Sequence, residues 1–196
     1  MGGNKRFMVL GALGLLALAV VVVLALGVQA AVSYNRMVTL REGIPAAWSQ
    51  VENVLQRRYD LIPNLVATVK GYAKHERELL TEVTKLRSQW GAAKTPDDKR
   101  KTATELEGVL SRLLIVAENY PNIKADESFN RLHDELAGTE NRIAVERMRY
   151  NEMVRTYNTY VKQFPSNLIA AMFGFKTNEA YFQMAKEATA APKVEF

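Results

Sequence analysis

The chain has 196 residues, with 26 Lys and Arg against 21 Asp and Glu, two histidines and no cysteine. There is therefore no thiol nucleophile and no cysteine to carry a lipid. From residue 31 onward 24 basic side chains face 21 acidic ones, since only Lys5 and Arg6 lie earlier. No basic cluster is interleaved with aromatic residues, so a nucleic-acid partner is not expected.

Residues 7–28 read FMVLGALGLLALAVVVVLALGV, 22 positions without a charge, preceded by Lys5-Arg6. As a helix this run rises about 33 Å, enough to cross a hydrocarbon core of about 30 Å. A cleaved leader is the competing reading, because Val28-Gln29-Ala30 offers a small-x-small site. Its apolar stretch would, however, be expected to run only about 7–15 residues. A myristoyl anchor is disfavoured, because Gly2 is followed by Arg6 where Ser or Thr is required. The reading adopted is an uncleaved anchor over 7–29 behind a short basic tail, 1–6. Lys5, Arg6 and the terminal amine lie closer to the apolar run than Arg36 and Arg41 do. The positive-inside rule then leaves the N-terminus in the cytoplasm and the large domain outside it.

The remainder shows helical spacing and no strand signal. The first helix is expected to leave the membrane unbroken, with a kink at Gly43-Ile44-Pro45 and a second kink or restart at Pro63. Trp48, Val51, Leu55, Arg58 and Ile62 form its stripe. Val69, Tyr72, Glu76, Leu79, Val83, Leu86 and Trp90 continue as a seam, which Gly91 ends. Thr95-Pro96-Asp97-Asp98 is a start signal: a capping hydroxyl, a proline suited to the first helical position, and two carboxylates at the positive end of the dipole. That helix carries Leu106, Val109, Leu110, Leu113, Leu114 and Ala117, and stops at Tyr120-Pro121. A helix from Glu127 to Phe164, about 57 Å long, follows. Its stripe is Phe129, Leu132, Leu136, Thr139, Ile143, Glu146, Tyr150, Val154, Tyr157, Val161 and Phe164. Pro165 ends it, and 166–173 forms a short apolar helix closed by Gly174. Residues 189–196 are expected to fray. The fold expected is all-α: a transmembrane helix, then an elongated antiparallel bundle of three to four long helices over 30–188.

Several separated stretches carry a resemblance to a known family. They are Tyr34-Asn35, Trp48, Arg57-Arg58-Tyr59-Asp60-Leu61-Ile62-Pro63-Asn64-Leu65-Val66, Val69-Lys70-Gly71-Tyr72 and His75-Glu76. Glu118-Asn119-Tyr120-Pro121, Lys124-Ala125, Thr139-Glu140-Asn141-Arg142-Ile143-Ala144, Tyr150-Asn151, Tyr157-Asn158 and Phe164-Pro165 complete the set. On these the chain resembles the LemA family of bacterial membrane proteins over roughly residues 34–175. The resemblance implies a single-pass helical bundle of the bacterial cytoplasmic membrane, with no established enzymatic activity. It further implies kinship with a protein of magnetosome membrane biogenesis, and genomic neighbours that include a membrane metalloprotease of the HtpX type. Tyr59 departs from the pattern, standing where family members often carry a smaller residue.

No constellation for catalysis is legible. His75-Glu76 opens a His-Glu-x-x pattern, but Leu79 stands where the second histidine belongs. His133 lies beside the stripe residue Leu132, with no third ligand in view. There is no Gly-x-Ser-x-Gly elbow and no phosphate-cradling loop, so neither metal nor cofactor is expected.

The unusual feature is charge on the stripes: Arg58, Glu76 and Glu146, with Glu140 beside Thr139. Taking one charge into a packed interior costs several kcal/mol unless it is paired. One reading is a polar layer across the bundle, joined by Asn64 or Asn141, in which Arg58 pairs with Glu76 or Glu140 and sets register. The other is a set of helices with one wet edge, where the charges reach solvent. Leu168, Ile169, Met172, Phe173 and Phe175, with Tyr181-Phe182 behind, either close the end of the bundle or present a surface to a bilayer or partner. The Tyr-Asn pairs are read as tyrosines filling a core with their hydroxyls at its edge. Together these features point to a non-enzymatic, membrane-anchored scaffold or adaptor that self-associates. The alternative is a regulator docking on a membrane protease or other envelope enzyme.

Overall fold

A computed structural model describes residues 3–72 and 76–182, and every regular element among them is helical. The helices are α1 (Gly3–Tyr72), α2 (Arg77–Ala92), α3 (Pro96–Glu118), α4 (Pro121–Lys124), α5 (Glu127–Lys162) and α6 (Ser166–Phe173). Two compact units divide them. The first comprises residues 1–43 and 155–178, and the second 44–154 and 179–196.

In the first unit α1 begins with the apolar run. Its large side chains from Leu10 to Val28 are exposed, so no protein core accounts for their apolar character. This is one helix long and apolar enough to cross a membrane. Further along, Ser33, Met37 and Leu40 turn inward, as do Tyr157 and Val161 of α5 and Ala170 of α6. α6 ends at Gly174, whose φ of 73° is the left-handed conformation that costs a side-chain-bearing residue most. That reversal lets the amide of Phe175 donate to the Ala170 carbonyl at 2.9 Å and folds the Phe175 ring inward.

In the second unit the α1 stripe stays buried through Ile44, Trp48, Val51, Leu55, Arg58, Ile62, Leu65 and Val69. Phe129, Leu136, Thr139, Ile143, Tyr150 and Val154 form the α5 face. Three contacts fix how these helices run: Trp48 meets Tyr150, Arg58 meets Glu140, and Tyr72 meets Asp126. Each step forward along α1 is matched by an equal step back along α5, so the two are antiparallel and in uninterrupted register. α2 and α3 pack as a hairpin, with Arg112 bonded to both carboxylate oxygens of Glu82 at 3.1 Å. Thr95 caps α3 as its sequence foretells, accepting from the Asp98 amide at 3.1 Å.

Several expectations need correction. α1 does not restart at Pro63; both Pro45 and Pro63 lie inside one helix. A proline removes the amide that would serve the carbonyl four residues earlier, which here belongs to Tyr59. Arg87 of α2 replaces that donor, its Nε donating to the Tyr59 carbonyl at 3.3 Å. The seam from Val69 to Trp90 is likewise not one helix. α2 begins after Glu76 and buries Leu80, Val83, Leu86 and Trp90, leaving Leu79 only half-buried. At the far end of α5 the helix stops at Lys162, and Phe164 is 80% exposed rather than part of the stripe. His75 and the tail 189–196 lie outside the described residues.

Restoring a backbone donor at residue 63 should make the Arg87 substitute redundant. Pro63→Ala is expected to raise the melting temperature. Arg87→Met, which costs about 0.5–1.5 kcal/mol alone, should cost much less in that background. Thermal melts of the four combinations check this, and an undiminished Arg87→Met penalty would contradict it.

Candidate functional site

Arg58 occupies a buried stripe position on α1 because the 3–4 spacing that brings Leu55 and Ile62 inward brings it inward too. Its guanidinium is hydrogen-bonded to the Glu140 carboxylate of α5, while its Nε has no protein partner. The pair is asymmetric in depth: the side chain is 9% exposed for Arg58 and 38% for Glu140. Water therefore reaches the acid from one edge and lowers the cost of the buried base. Beside Glu140, buried Thr139 returns its hydroxyl to the Leu136 carbonyl at 2.8 Å.

The other residues expected in a polar layer sit elsewhere. Glu76 is the half-buried residue preceding α2, where its carbonyl accepts from the Leu80 amide at 3.1 Å but its carboxylate makes no capping bond. Glu146 pairs with Arg149 one turn along its own helix at 2.6 Å. Asn64 and Asn141 are exposed. Arg58 thus meets Glu140 and not Glu76.

Further ion pairs that no stripe pattern singled out also join helices in the second unit. Lys99 of α3 bonds to Glu52 of α1, and Arg147 of α5 to Glu107 of α3 at 3.0 Å. These residues flank buried positions and do not occupy the stripe themselves. Lys99 also lies 5.0 Å from the Trp90 ring centroid. Trp90 in turn stacks on Tyr59 with centroids 4.2 Å apart. The large residue that departs from the family pattern therefore fills the space between α1 and α2. Burial holds the Tyr59 hydroxyl well above the ordinary tyrosine range, with the Arg58 and Arg147 charges opposing the rise. The hydroxyl has no protein partner.

A second cluster joins Trp48, Tyr150 and Phe182. Phe182 stacks on Trp48 at 5.7 Å and meets Tyr150 edge-on at 5.5 Å. The guanidinium groups of Arg147 and Arg100 stand 5.2 and 5.7 Å from the same Phe182 ring. Asn151 fixes the backbone there: its amide nitrogen donates to the Phe182 carbonyl at 3.0 Å and its oxygen accepts from the Phe182 amide at 2.9 Å. In the first unit Asn158 does the same with the carbonyl and amide of Asn178, at 2.7 and 2.8 Å. Tyr157 donates to the Lys176 carbonyl at 2.8 Å. The Asn residues of the Tyr-Asn pairs on α5 are thus side-chain mimics of a backbone ladder. Their seven-residue spacing was the available signal.

Among the residues proposed as a docking surface, Phe175 is buried and Ile169 half-buried, while Leu168, Met172 and Phe173 are 57%, 73% and 54% exposed. The aromatic ring of Tyr34 on α1 contacts both Phe173 and Phe175, at centroid distances of 4.9 and 5.5 Å. The segment therefore does two things, closing over α1 with one edge and presenting apolar side chains with the other.

Among the described residues no group of three His, Cys, Asp or Glu side chains is placed to hold a metal ion. His133 is exposed, with Asp134 3.8 Å away. What the geometry supplies is an all-α, membrane-associated protein whose polar residues join helix to helix.

The comparison with known sequences gives the same class a family. The LemA family pattern matches residues 47–196, and the chain belongs to that family. It is 29% identical to magnetosome protein MamQ 2 of Paramagnetospirillum magneticum over 195 residues, covering 86% of this chain and 71% of that one. It is 26% identical to magnetosome protein MamQ of Magnetospirillum gryphiswaldense, with 86% and 72% covered. Protein LemA of Metamycoplasma hominis is 23% identical over 155 residues, 78% of this chain and 69% of the relative.

Removing one member of the Arg58–Glu140 pair should be more damaging than removing both. Glu140→Leu is expected to cost about 1–3 kcal/mol, below the value for a fully buried pair because solvent reaches Glu140, and Arg58→Leu in the double mutant should recover about 1 kcal/mol. Additive losses in thermal melts would show the two side chains to be energetically independent.

Tyr59→Phe deletes a buried hydroxyl without a partner and should leave stability at neutral pH equal or higher. Above about pH 10 the unfolded chain releases its tyrosine protons while folded Tyr59 keeps its own, so stability falls as pH rises. The variant should show a shallower alkaline fall in Tm. Tyr150 and Tyr157, both raised by burial, keep it from vanishing.

Proposed function

We propose that this chain is a non-enzymatic scaffold or adaptor of the bacterial cytoplasmic membrane. It crosses the bilayer once through α1, with its N-terminus in the cytoplasm and its antiparallel helices outside, and associates with further copies of itself. The observation that carries this reading is the continuity of α1. One helix, Gly3–Tyr72, holds both the exposed apolar run and the buried stripe of the second unit. A helix rooted in a bilayer presents the same face of every copy at the same height, which favours contacts in the membrane plane. In the second unit the exposed large apolar side chains Ile115, Val145 and Met148 are available for such contacts.

The ion pairs support a structural role for the polar residues. Arg58, Glu140, Arg147, Glu107, Lys99 and Glu52 are each engaged with a partner on another helix, which is the use a bundle makes of charge to hold register. Two of the relatives are named as magnetosome proteins. The competing reading, a regulator docked on a membrane protease, would use the same surfaces for a different partner.

Mass photometry of the full chain in mild detergent is expected to show ordered homo-oligomers that Met148→Glu and Ile115→Glu disperse. A strictly monomeric chain that copurifies with a protease in fixed proportion would replace this reading with the regulator. Turnover of a substrate by the purified chain would end both.

A further inference from the structure

We propose that α6 and the turn before it form a second membrane contact. On this view the exposed side chains of Phe164, Leu168, Met172 and Phe173 insert into the headgroup–acyl boundary of an anionic bilayer. The proposal rests on the anchoring of α1 set out above.

The patch is apolar where water would otherwise meet it. Phe164 is 80% exposed and Met172 73%, with Leu168 one helical turn before Met172 on the same face of α6. α6 itself contains no acidic or basic residue. Its place along α1 is set by Tyr34, whose ring contacts Phe173 and Phe175. Tyr34 follows Val28, the last residue of the apolar run, by six positions, a rise of about 9 Å. The polar zone bordering a hydrocarbon core, where tyrosine rings concentrate, is about 5–7.5 Å deep, so Tyr34 stands at its outer margin, and a tilt toward the upper end of the roughly 0–40° range of membrane helices brings it inside. A bilayer crossed by residues 7–28 therefore comes level with α6 without any movement of the unit.

The charge of the first unit suits an anionic bilayer surface. Apart from Lys5 and Arg6 before the apolar run, the first unit carries Arg36, Arg41, Arg155, Lys162 and Lys176 against one acid, Glu42. The second unit has no such excess, with 19 basic against 20 acidic residues once the first unit's seven and one are set aside. The chain's positive charge is thus concentrated in the unit that contains the apolar run. Lys162 and Lys176 flank α6 on either side, where long cationic stems reach phosphate groups while apolar neighbours sink below them. A recess of about 280 Å³ in this unit, lined by Arg36, Leu40, Thr156, Thr159, Tyr160 and Gln163 among others, lies further along α1 from the apolar run than Tyr34. A water-facing helix end would need neither the four apolar side chains nor the one-signed surround. An interfacial helix uses both.

The absence of cysteine makes the test direct, because a single introduced thiol carries the only label. Full-length Met172→Cys, Leu168→Cys, Met148→Cys and Val22→Cys, each labelled with an environment-sensitive fluorophore, are reconstituted into phosphatidylethanolamine–phosphatidylglycerol vesicles. These carry lipids with a nitroxide either at the top of an acyl chain or at its end. The labels at 172 and 168 should lose half or more of their emission to the shallow nitroxide, and the label at 22 to the deep one. The label at 148, a site outside the proposed contact, supplies the baseline against which the loss at 172 and 168 is read. Replacing phosphatidylglycerol with phosphatidylcholine, or introducing Lys162→Gln with Lys176→Gln, should reduce the loss at 172 and leave that at 22 unchanged. Quenching at 22 with none at 168 or 172 overturns the second contact while sparing the anchor. No quenching at 22 overturns both. Labels at 172 shielded from water-soluble iodide but untouched by lipid nitroxide, with disulfides forming between copies of unlabelled Met172→Cys, would assign the patch to self-association instead.

Discussion

The pairing of α1 with α5 in the second unit tolerates no slip, because contacts of three different kinds demand the same alignment. A Trp48–Tyr150 ring contact, the Arg58–Glu140 ion pair and the Tyr72–Asp126 hydrogen bond are spaced so that satisfying one satisfies the others. A shift by one residue would turn the Arg58 guanidinium away from its carboxylate and leave a buried charge uncompensated. Apolar stripes alone allow such slips at modest cost, because Leu, Ile and Val substitute for one another in a packed layer. The polar contacts supply direction. Asp126 illustrates the economy of the arrangement. Its carboxylate accepts the Ser128 and Phe129 amides that open α5 as well as the Tyr72 hydroxyl that closes α1. The Phe129 amide and the Tyr72 hydroxyl are the main causes holding its carboxyl below the ordinary aspartate range.

Charged groups play the same part around the rest of that unit. Lys99–Glu52 joins α3 to α1, Arg147–Glu107 joins α5 to α3, and Arg112–Glu82 joins α3 to α2. Arg87 completes the set in another way, serving a carbonyl that Pro63 leaves without its amide. A proline in mid-helix is tolerated where a neighbouring element can supply the missing donor, and α2 is that element. The charged residues that join these helices are thus occupied by the requirements of packing. That occupation, together with an exposed apolar run at the start of α1, is what the proposed scaffold reading rests on.

The sequence made much of this legible. Stripes with 3–4 spacing identified the buried faces of α1, α3 and α5 nearly residue by residue. The Thr95-Pro96-Asp97-Asp98 start and the Gly174 stop are encoded in local chemistry that needs no neighbour. The misreadings have a common cause. The 3–4 spacing puts Leu79 on the seam where the structure buries Leu80, because α2 starts anew after Glu76 with its own phase. Phe164 satisfied the spacing of the α5 stripe, but the helix stops two residues earlier, ahead of Pro165. Periodicity reports a face only as long as the helix that carries it continues.

Pairing across helices could not be read the same way. Glu52, Lys99, Glu107 and Arg147 flank stripes at positions where solvated charge is the ordinary expectation, and nothing local says which carboxylate meets which cation. The sequence assigns no partner to the amides of Asn151 and Asn158, yet they hold backbone more than 15 residues away. By itself the sequence determined the start of α3 and the stop of α6, which faces are apolar and that one segment can cross a bilayer, because those follow from interactions within a few turns. Only the tertiary structure decided that Arg58 meets Glu140 rather than Glu76, and that the segment of α6 closes over Tyr34 through Phe173 and Phe175 while leaving Met172 uncovered. Partners distant in the chain are chosen by the register of whole helices, and that register exists only once they are packed.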